Sequence, residues 1–342
     1  NEFKVDLRVG HGTLTLDLSV PGGLRAANVT GNGTSHITID KASPNLINAT
    51  LSSLSGLTYQ PTLNYNVNVG GPDTLTIVAD DKGNTGGTVT PTTVVVPITV
   101  AAVNDPPQLP WSVPPAVPPT PLTSEDLAID VRWPANPVVD VDVGESPGDG
   151  RLMVTLSASH GTLTVSTNYG LTAGDFNGSN SGSTVQFTAP LSAINATLTA
   201  LTPGLTGVRY SPHLNYNGTD TVLVTVNDRG NTDDGLMNPL TARGTVTVTV
   251  VAVNDAPVLT VPGTSLTVNE DENLPLQVQI SDADAAEGTG ELEMTLQVFR
   301  GTLTVNTAVS GGVGAGGVTG NGTTAVSLVG TQQQLNATFA AG

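Results

Sequence analysis

The chain has 342 residues, with 29 Asp and Glu against 11 Lys and Arg, and no cysteine. At ~100–200 residues per domain it has room for two or three domains. The missing cysteine excludes disulfide frameworks, thiolate metal sites and cysteine nucleophiles, and the acidic balance excludes a nucleic-acid footprint, which needs a basic patch, while favouring cations as partners.

No apolar run reaches the ~20 residues that span a bilayer. Asn1-Glu2-Phe3 lacks the basic-then-apolar pattern of a signal peptide, so the sequence reads as a window in a longer polypeptide. Thr, Val, Gly and Asn are abundant and aromatics are 4%, a composition that favours short strands and polar turns. Charged residues are 12%, about half the usual share, so the solvent faces must be built from Thr, Ser and Asn. The expected class is all-β, and the expected location is extracellular or at the cell surface.

In chain order, His11-Gly12-Thr13-Leu14-Thr15 comes first, and it returns as His160-Gly161-Thr162-Leu163-Thr164 and as Arg300-Gly301-Thr302-Leu303-Thr304. Ile47-Asn48-Ala49-Thr50 returns in the same order as Ile194-Asn195-Ala196-Thr197 and Leu335-Asn336-Ala337-Thr338. Three units are therefore present. Tyr59-Gln60-Pro61-Thr62-Leu63-Asn64-Tyr65-Asn66 and Val103-Asn104-Asp105 recur once each, as Tyr210-Ser211-Pro212-His213-Leu214-Asn215-Tyr216-Asn217 and Val253-Asn254-Asp255. This divides the chain into 1–107, whose front strand is missing, 108–257, which opens with a proline-rich segment, and 258–342, whose back is missing.

Within a unit the apolar residues alternate, as in Val222-Val224-Val226 and Val246-Val248-Val250, which marks half-buried antiparallel strands. About seven such strands over ~100 residues are the arithmetic of a Greek-key sandwich. Ile194, Leu198 and Leu201 have helical spacing, which predicts one helical turn between strands. The eight prolines between Pro106 and Pro121 impose polyproline-II geometry, so that stretch reads as a stiff spacer, with a ligand for a proline reader as the alternative. Trp111 and Trp133 are expected to cover the first boundary.

Enzyme chemistry has little support. Gly312-Val313-Gly314-Ala315-Gly316-Gly317 matches G-x-G-x-x-G, yet no helical pattern follows and the first unit has Val20-Pro21-Gly22-Gly23 at the same loop. His11 and His160 stand where the third unit has Arg300, which reads as a surface cation rather than a general base. No G-x-S-x-G elbow is present.

The acids gather near the unit starts, as Asp140-Val141-Asp142 and Asp282-Ala283-Asp284. Both carboxylates of such a pair lie on one strand face and repel unless a cation neutralises them. A hard divalent ion, Ca2+, accepts mixed carboxylate and carbonyl ligands. A solvated acidic surface is the alternative, and the EF-hand is excluded because Ala286 and Glu287 stand where a ligand and a glycine are required.

The combination of Gly-Thr-Leu-Thr, Asn-Ala-Thr, Tyr-x-Pro-x-Leu-Asn-Tyr-Asn, Asp-x-Gly-Asn-Thr and Val-Asn-Asp-Ala-Pro resembles the cadherin-like tandem repeats of large extracellular adhesins and surface fibres. The resemblance implies tandem cadherin-like or Ig-like Greek-key β-sandwiches, beads on a string, with calcium between neighbouring repeats. It places Asn104, Asp105, Asp140, Asp142 and Asp228 at the first boundary, and Glu125, Asn254, Asp255, Asp282 and Asp284 at the second. Glu270 repeats Glu125 and would serve a further boundary. Where such repeats carry an acidic pair at the lower rim, this chain has Asn64 and Asn66, and Asn215 and Asn217, which implies fewer or weaker ions. The first boundary, without a leading acid in its upstream unit, is expected to be the poorer one.

The resemblance implies a non-enzymatic stalk or fibre section supporting adhesion. Its partners are the neighbouring repeats of the same chain and like chains in a fibre, with no nucleic acid and no membrane span. Two alternatives are a subunit of a polymeric surface filament and a carbohydrate- or protein-binding module, the latter needing an exposed aromatic cluster. Among the Asn-x-Ser/Thr sequons, Asn28, Asn32, Asn177 and Asn321 lie in Gly-rich loops and are the glycosylation candidates. Asn48, Asn195, Asn217 and Asn336 belong to repeat motifs.

Overall fold

The computed structural model describes residues 2–84, 86, 88–114, 119–145, 149–200, 206–231 and 238–340. Pro115 and Pro118 of the proline segment, Leu201 and the terminal Gly342 lie outside the described residues. The strand pattern is all-β, as the alternation predicts.

By internal contacts the chain forms two compact units. One comprises Asn1–Pro121, Ile129–Tyr210 and Asp220–Val248, and the other Leu122–Ala128, Ser211–Thr219 and Thr249–Gly342. No helix among the described residues is long and apolar enough to cross a membrane.

In the first unit, the first repeat contributes β1 (Phe3–Arg8), β2 (Gly12–Leu16), β3 (Val29–Thr30), β4 (His36–Ala42), β5 (Leu57–Pro61), β6 (Asp73–Asp80) and β7 (Thr92–Ile98). One sheet runs β3-β4-β1-β6-β7 and the other pairs β2 with β5. β1 lies between β4 and β6, the crossover of a Greek key. Alternation explains the core: Val5, Leu7, Ile37 and Ile39 from one sheet meet Leu14 and Leu16 from the other, closed by Leu24 and Ile47. Truncating a fully buried leucine such as Leu7 to alanine costs ~2–5 kcal/mol.

The second repeat adds β8 (Leu122–Ser124), β9 (Ile129–Val131), β10 (Arg151–Ser157), β11 (Gly161–Val165), β12 (Ser181–Gly182), β13 (Thr184–Pro190), β14 (Val208–Pro212), β15 (Gly218–Asn227) and β16 (Thr241–Val251). Within the first unit β13, β10, β15 and β16 are neighbours in one sheet, and β12, β11, β14 and β9 form the other. Leu152, Val154, Leu156, Phe187, Leu163, Tyr210 and Val224 are almost fully buried.

Trp111 and Trp133 are also buried, packed edge to face at 6.2 Å. Trp111 lies against Gly244 of β16, and the backbone N–H of Trp133 donates to the Leu198 carbonyl. The tryptophans therefore serve the interior of the second repeat and not its boundary, and they offer no exposed stacking platform.

In the second unit, the third repeat provides β17 (Val258–Thr260), β18 (Gln279–Ser281), β19 (Glu291–Gln297), β20 (Val318–Thr319) and β21 (Ala325–Thr331). β21 lies between β19 and β20, and β17 pairs with β18. Met294, Leu303, Val305, Val326, Leu328, Leu335 and Phe339 form its core.

Among the described residues, four α-helices punctuate the repeats: α1 (Pro44–Leu51), α2 (Val67–Gly70), α3 (Leu191–Leu198) and α4 (Gln332–Ala340). α3 is eight residues, longer than the single turn its apolar spacing predicts. The Asn-Ala-Thr block accounts for its recurrence in these helices. The Asn195 amide pairs with both backbone groups of Val138, and Asn336 does the same to Ile280, fastening the segment before the D-x-D pair. Thr50 and Thr338 accept the N–H of Leu24 and Val313 at 2.8 Å. Such locally satisfied polar groups let a loop lie over the core without orphaned donors.

Candidate cation sites at the repeat boundaries

At the first boundary, in the first unit, the linker supplies Asn104 and Asp105, the segment before β10 supplies Asp140, Asp142 and Glu145, and the turn after β15 supplies Asp228. The Asp105 N–H donates to Asp142 Oδ2 at 2.5 Å, and the Asp142 N–H donates to Asp140 Oδ1 at 2.9 Å. Asn104 Nδ2 donates to Asp228 Oδ2 at 2.7 Å. Asp228 also accepts the N–H groups of Gly230 and Leu240, which fixes the turn. From the first repeat, Asn66 Nδ2 donates to Glu145 Oε1 at 2.6 Å, while its Oδ1 caps α2 by accepting the Asn68 N–H.

This cluster is dry. Asn66, Asn104, Asp140, Asp142, Glu145 and Asp228 are all buried. Asn104 Oδ1, Asp140 Oδ2 and Glu145 Oε2 are buried oxygens that no described residue bonds. Burial pushes the Asp142 carboxyl up to about 6, and the carboxylates of Glu145, Asp140 and Asp105 add to it. Asp140 is raised by burial and by Asp228 and Asp105. Buried, unpaired carboxylate oxygens are costly unless protonated or neutralised by a cation.

The second boundary, in the second unit, repeats the geometry. The Asp255 N–H donates to Asp284 Oδ2, and the Asp284 N–H donates to Asp282 Oδ1 at 2.9 Å. Asn217 Nδ2 donates to Glu287 Oε1, as Asn66 does to Glu145. The buried Glu125 accepts the Val253 N–H on Oε1 at 2.5 Å, and no described residue bonds its Oε2. Removal from water raises Asp255, with Asp284, Asp126, Glu125 and Asp282 contributing. Asn254 is exposed, its amide turned onto the Asp255 carbonyl, and Glu270 is also exposed.

Two separate roles emerge within Asn-Tyr-Asn. Asn64 and Asn215 sit in the left-handed region, at φ 58° and 56°, where asparagine is tolerated. Asn66 and Asn217 reach the downstream glutamates. Glu145 is the residue the sequence reading missed; its signal was the D-x-D-x-x-E spacing shared by Asp140, Asp142, Glu145 and Asp282, Asp284, Glu287.

The donor set fits a hard cation: oxygen atoms only, several anionic, with orphaned buried oxygens in both clusters. Among the described residues, no three His, Cys, Asp or Glu side chains are already arranged to hold a metal. The clusters are thus facing carboxylates rather than finished cages.

Away from the boundaries, Asp73 and Asp220 brace the tyrosine blocks. Tyr59 donates to Asp73 Oδ2 at 2.8 Å and Tyr210 to Asp220 Oδ2 at 2.9 Å. Asp73 also accepts the N–H groups of Gly10, His11 and Thr74, and Asp220 those of Ser159, His160 and Thr221. Burial raises both carboxyls, yet these donors outweigh it and hold them below the usual range.

Of the glycosylation candidates, the Asn28, Asn32 and Asn321 amide nitrogens donate to the carbonyls of Lys41, Leu16 and Val305, each at 3.0 Å. Asn177 Nδ2 donates to Gln186 Oε1 at 2.6 Å. A glycan on Nδ2 would take the place of one of the two N–H bonds of each amide.

No protein-family model and no curated protein matches the chain. Among solved structures, mouse cadherin-23 EC22-24 is 15% identical over 93% of this chain and 75% of that chain, with a TM-score of 0.32. Human mucin-like protocadherin EC1-2 is 16% identical over 71% and 85%, TM-score 0.27. Drosophila N-cadherin EC1-4 is 13% identical over 83% and 54%, TM-score 0.22. The β-sandwich assignment stands on the strand registers and core residues of this chain.

Proposed function

We propose that the chain is a section of an extracellular repeat protein, a stalk or fibre supporting adhesion, in which calcium bound at the repeat boundaries holds successive β-sandwiches in line. The repeat divisions fall near Pro107 and Pro257. The observation that carries this reading is the duplicated boundary cluster: the same Asp-Asp-Glu set, fastened to the same linker N–H and faced by the same asparagine, occurs twice, and a buried carboxylate oxygen stands unpaired beside each, Asp140 Oδ2 and Glu145 Oε2 at the first and Glu125 Oε2 at the second.

Asp105, Asp140, Asp142, Asp228 and Glu145 would hold the ion at the first boundary, with Asn104 Oδ1. Asp255, Asp282, Asp284, Glu125 and Glu287 would hold it at the second. The ion supplies the positive charge that these carboxylates lack. The linker N–H groups of Asp105 and Asp255 orient the second aspartate of each pair, and Asn66 and Asn217 orient the glutamates.

Extracellular sites of this kind bind with dissociation constants of ~0.1–1 mM. At ~2 mM calcium a ~0.1 mM site contributes ~2 kcal/mol to the binding-competent form, about a twentyfold population shift. Small-angle scattering with calcium and with EGTA tests the reading. A chain that is longer and stiffer in calcium, with unchanged sandwich cores, supports it; identical dimensions in the two buffers contradict it.

A further inference from the structure

Past Asp105 the linker enters the proline segment, and its pairing with the chain ahead of Asp140 is a single bridge. The Gln108 N–H donates to the Val139 carbonyl at 2.7 Å, and the Val139 N–H donates to the Gln108 carbonyl at 3.0 Å. At the second boundary Val258 stands to Asp255 as Gln108 stands to Asp105, and there the pairing extends through β17 and β18, Val258 to Thr260 against Gln279 to Ser281. The prolines explain the difference. Pro106, Pro107 and Pro110 have no N–H to give, so no ladder can run on from Gln108.

What holds the first linker instead is Trp111. The short turn Pro110–Ser112 is closed by the Ser112 N–H and hydroxyl, both donating to the Leu109 carbonyl, and it carries the indole inward, where it is 2% exposed. The ring fills the space over Gly244 so closely that a Cβ there would stand 2.7 Å from Trp111 Cη2 and 2.9 Å from Ser112 Cβ. No described residue accepts the indole N–H of Trp111 or of Trp133, so shape and apolar area hold the pair rather than hydrogen bonds.

The far side of the tryptophan pair leads back to the same carboxylates. The backbone N–H of Trp133 is bonded to Leu198 at the end of α3, and Asn195 of α3 holds both backbone groups of Val138. Val138 and Val139 lead directly into Asp140. They are therefore gripped from two directions, Val138 by α3 and Val139 by the linker.

We infer that Trp111 is a latch for the first cation site: docked against Gly244 and Trp133, its indole fixes the linker on Val139 and so sets the spacing between Asp105 and the Asp140-Asp142 pair. The inference rests on the cation reading of that boundary. Trp111 is a positioning residue, acting through Gln108 and Val139. Linkage makes the coupling reciprocal, so an ion that ties Asp105 to the pair also holds the latch shut. The second site has no counterpart, because Trp111 and Trp133 are the only tryptophans in the sequence, and its longer strand pairing takes that role.

Hydrogen exchange in EGTA, read by mass spectrometry, and calorimetric titration of calcium, both on the 342-residue chain, test this. Trp111→Ala empties the latch, and Gly244→Ala expels the indole while keeping both tryptophans in the sequence. Each should speed exchange in peptides carrying the Asp105 and Asp142 N–H groups. Each should also weaken calcium at the first boundary by about 10-fold, the lower end of what outer partners of metal ligands contribute, and leave the second boundary unchanged. Trp111→Phe should keep both properties, because a ring without the unpartnered N–H still fills the space. Leu163→Ala, a core truncation in the opposite sheet, is the control for general loosening and should lower stability without weakening calcium. Normal calcium uptake with exchange and affinity unchanged in both latch variants, or an equal loss of affinity in Leu163→Ala, overturns the latch alone. A chain that takes up no calcium overturns the cation reading and the latch with it.

Discussion

The two boundary clusters have the same wiring but different surroundings. At the first, Asp142 and Glu145 are 2% and 4% exposed, and Asp228 is fully buried. At the second, Asp282 and Asp284 are half-buried and Glu287 is exposed, and the buried carboxylate is Glu125, from the upstream leading strand. The difference traces to what covers the D-x-D-x-x-E segment. The turn after β15 closes the first cluster with Asp228, whereas the second is met by Glu125 from the upstream leading strand. One motif thus yields a deeply buried, strongly repelling cluster and a more exposed one. By leading acids alone the first boundary ranks as the poorer; by the burial of its carboxylates it is the one that most needs a cation.

This ranking can be broken in several ways. Asp142→Asn should weaken calcium at the first boundary by about 100-fold, the upper end of what even outer partners of metal ligands contribute, and leave the second boundary unchanged in a calorimetric titration. In EGTA, Asn66→Ala should lower the unfolding free energy by ~2 kcal/mol, because a buried carboxylate loses its donor, whereas Asn217→Ala should cost ~0.5 kcal/mol against the exposed Glu287. Denaturant titrations of the two variants compare these directly.

Glu125→Gln should cost about 10-fold in affinity at the second boundary only, since the amide oxygen still accepts the Val253 N–H but the charge is gone. The smallest effect concerns acid. Asp73 and Asp220 are held below the usual carboxylate range, so their contribution is complete above the unfolded-state pKa and is lost as pH falls through the folded-state value. Melting curves between pH 5 and pH 2 should therefore show the first two repeats losing stability on acidification, and Asp220→Asn should flatten that dependence in the second.

Much of this was legible in the sequence where periodicity or repetition carried it. Alternation in Val222-Val224-Val226 forecast one-sided burial, and the recurrence of Val-Asn-Asp and D-x-D located both clusters. Glu145 escaped because a single acid near a loop has no local signature until it is set beside Glu287. Asp73 and Asp220 escaped for a related reason: each lies at or near the start of a strand, and only tertiary structure brings the tyrosine and two of its three N–H donors to it. α3 was under-read because eight residues give an apolar stripe too short to separate from a turn. Trp111 and Trp133 were misplaced because composition says that aromatics are scarce, not which core they fill.

The most direct test of the central claim is calorimetric titration of calcium into the 342-residue chain and into Asp142→Asn. Two classes of saturable site are expected, with the tighter one absent in the variant. A titration of the unsubstituted chain that releases no heat beyond dilution would mean that the boundary carboxylates hold no cation and that the proposed function is wrong.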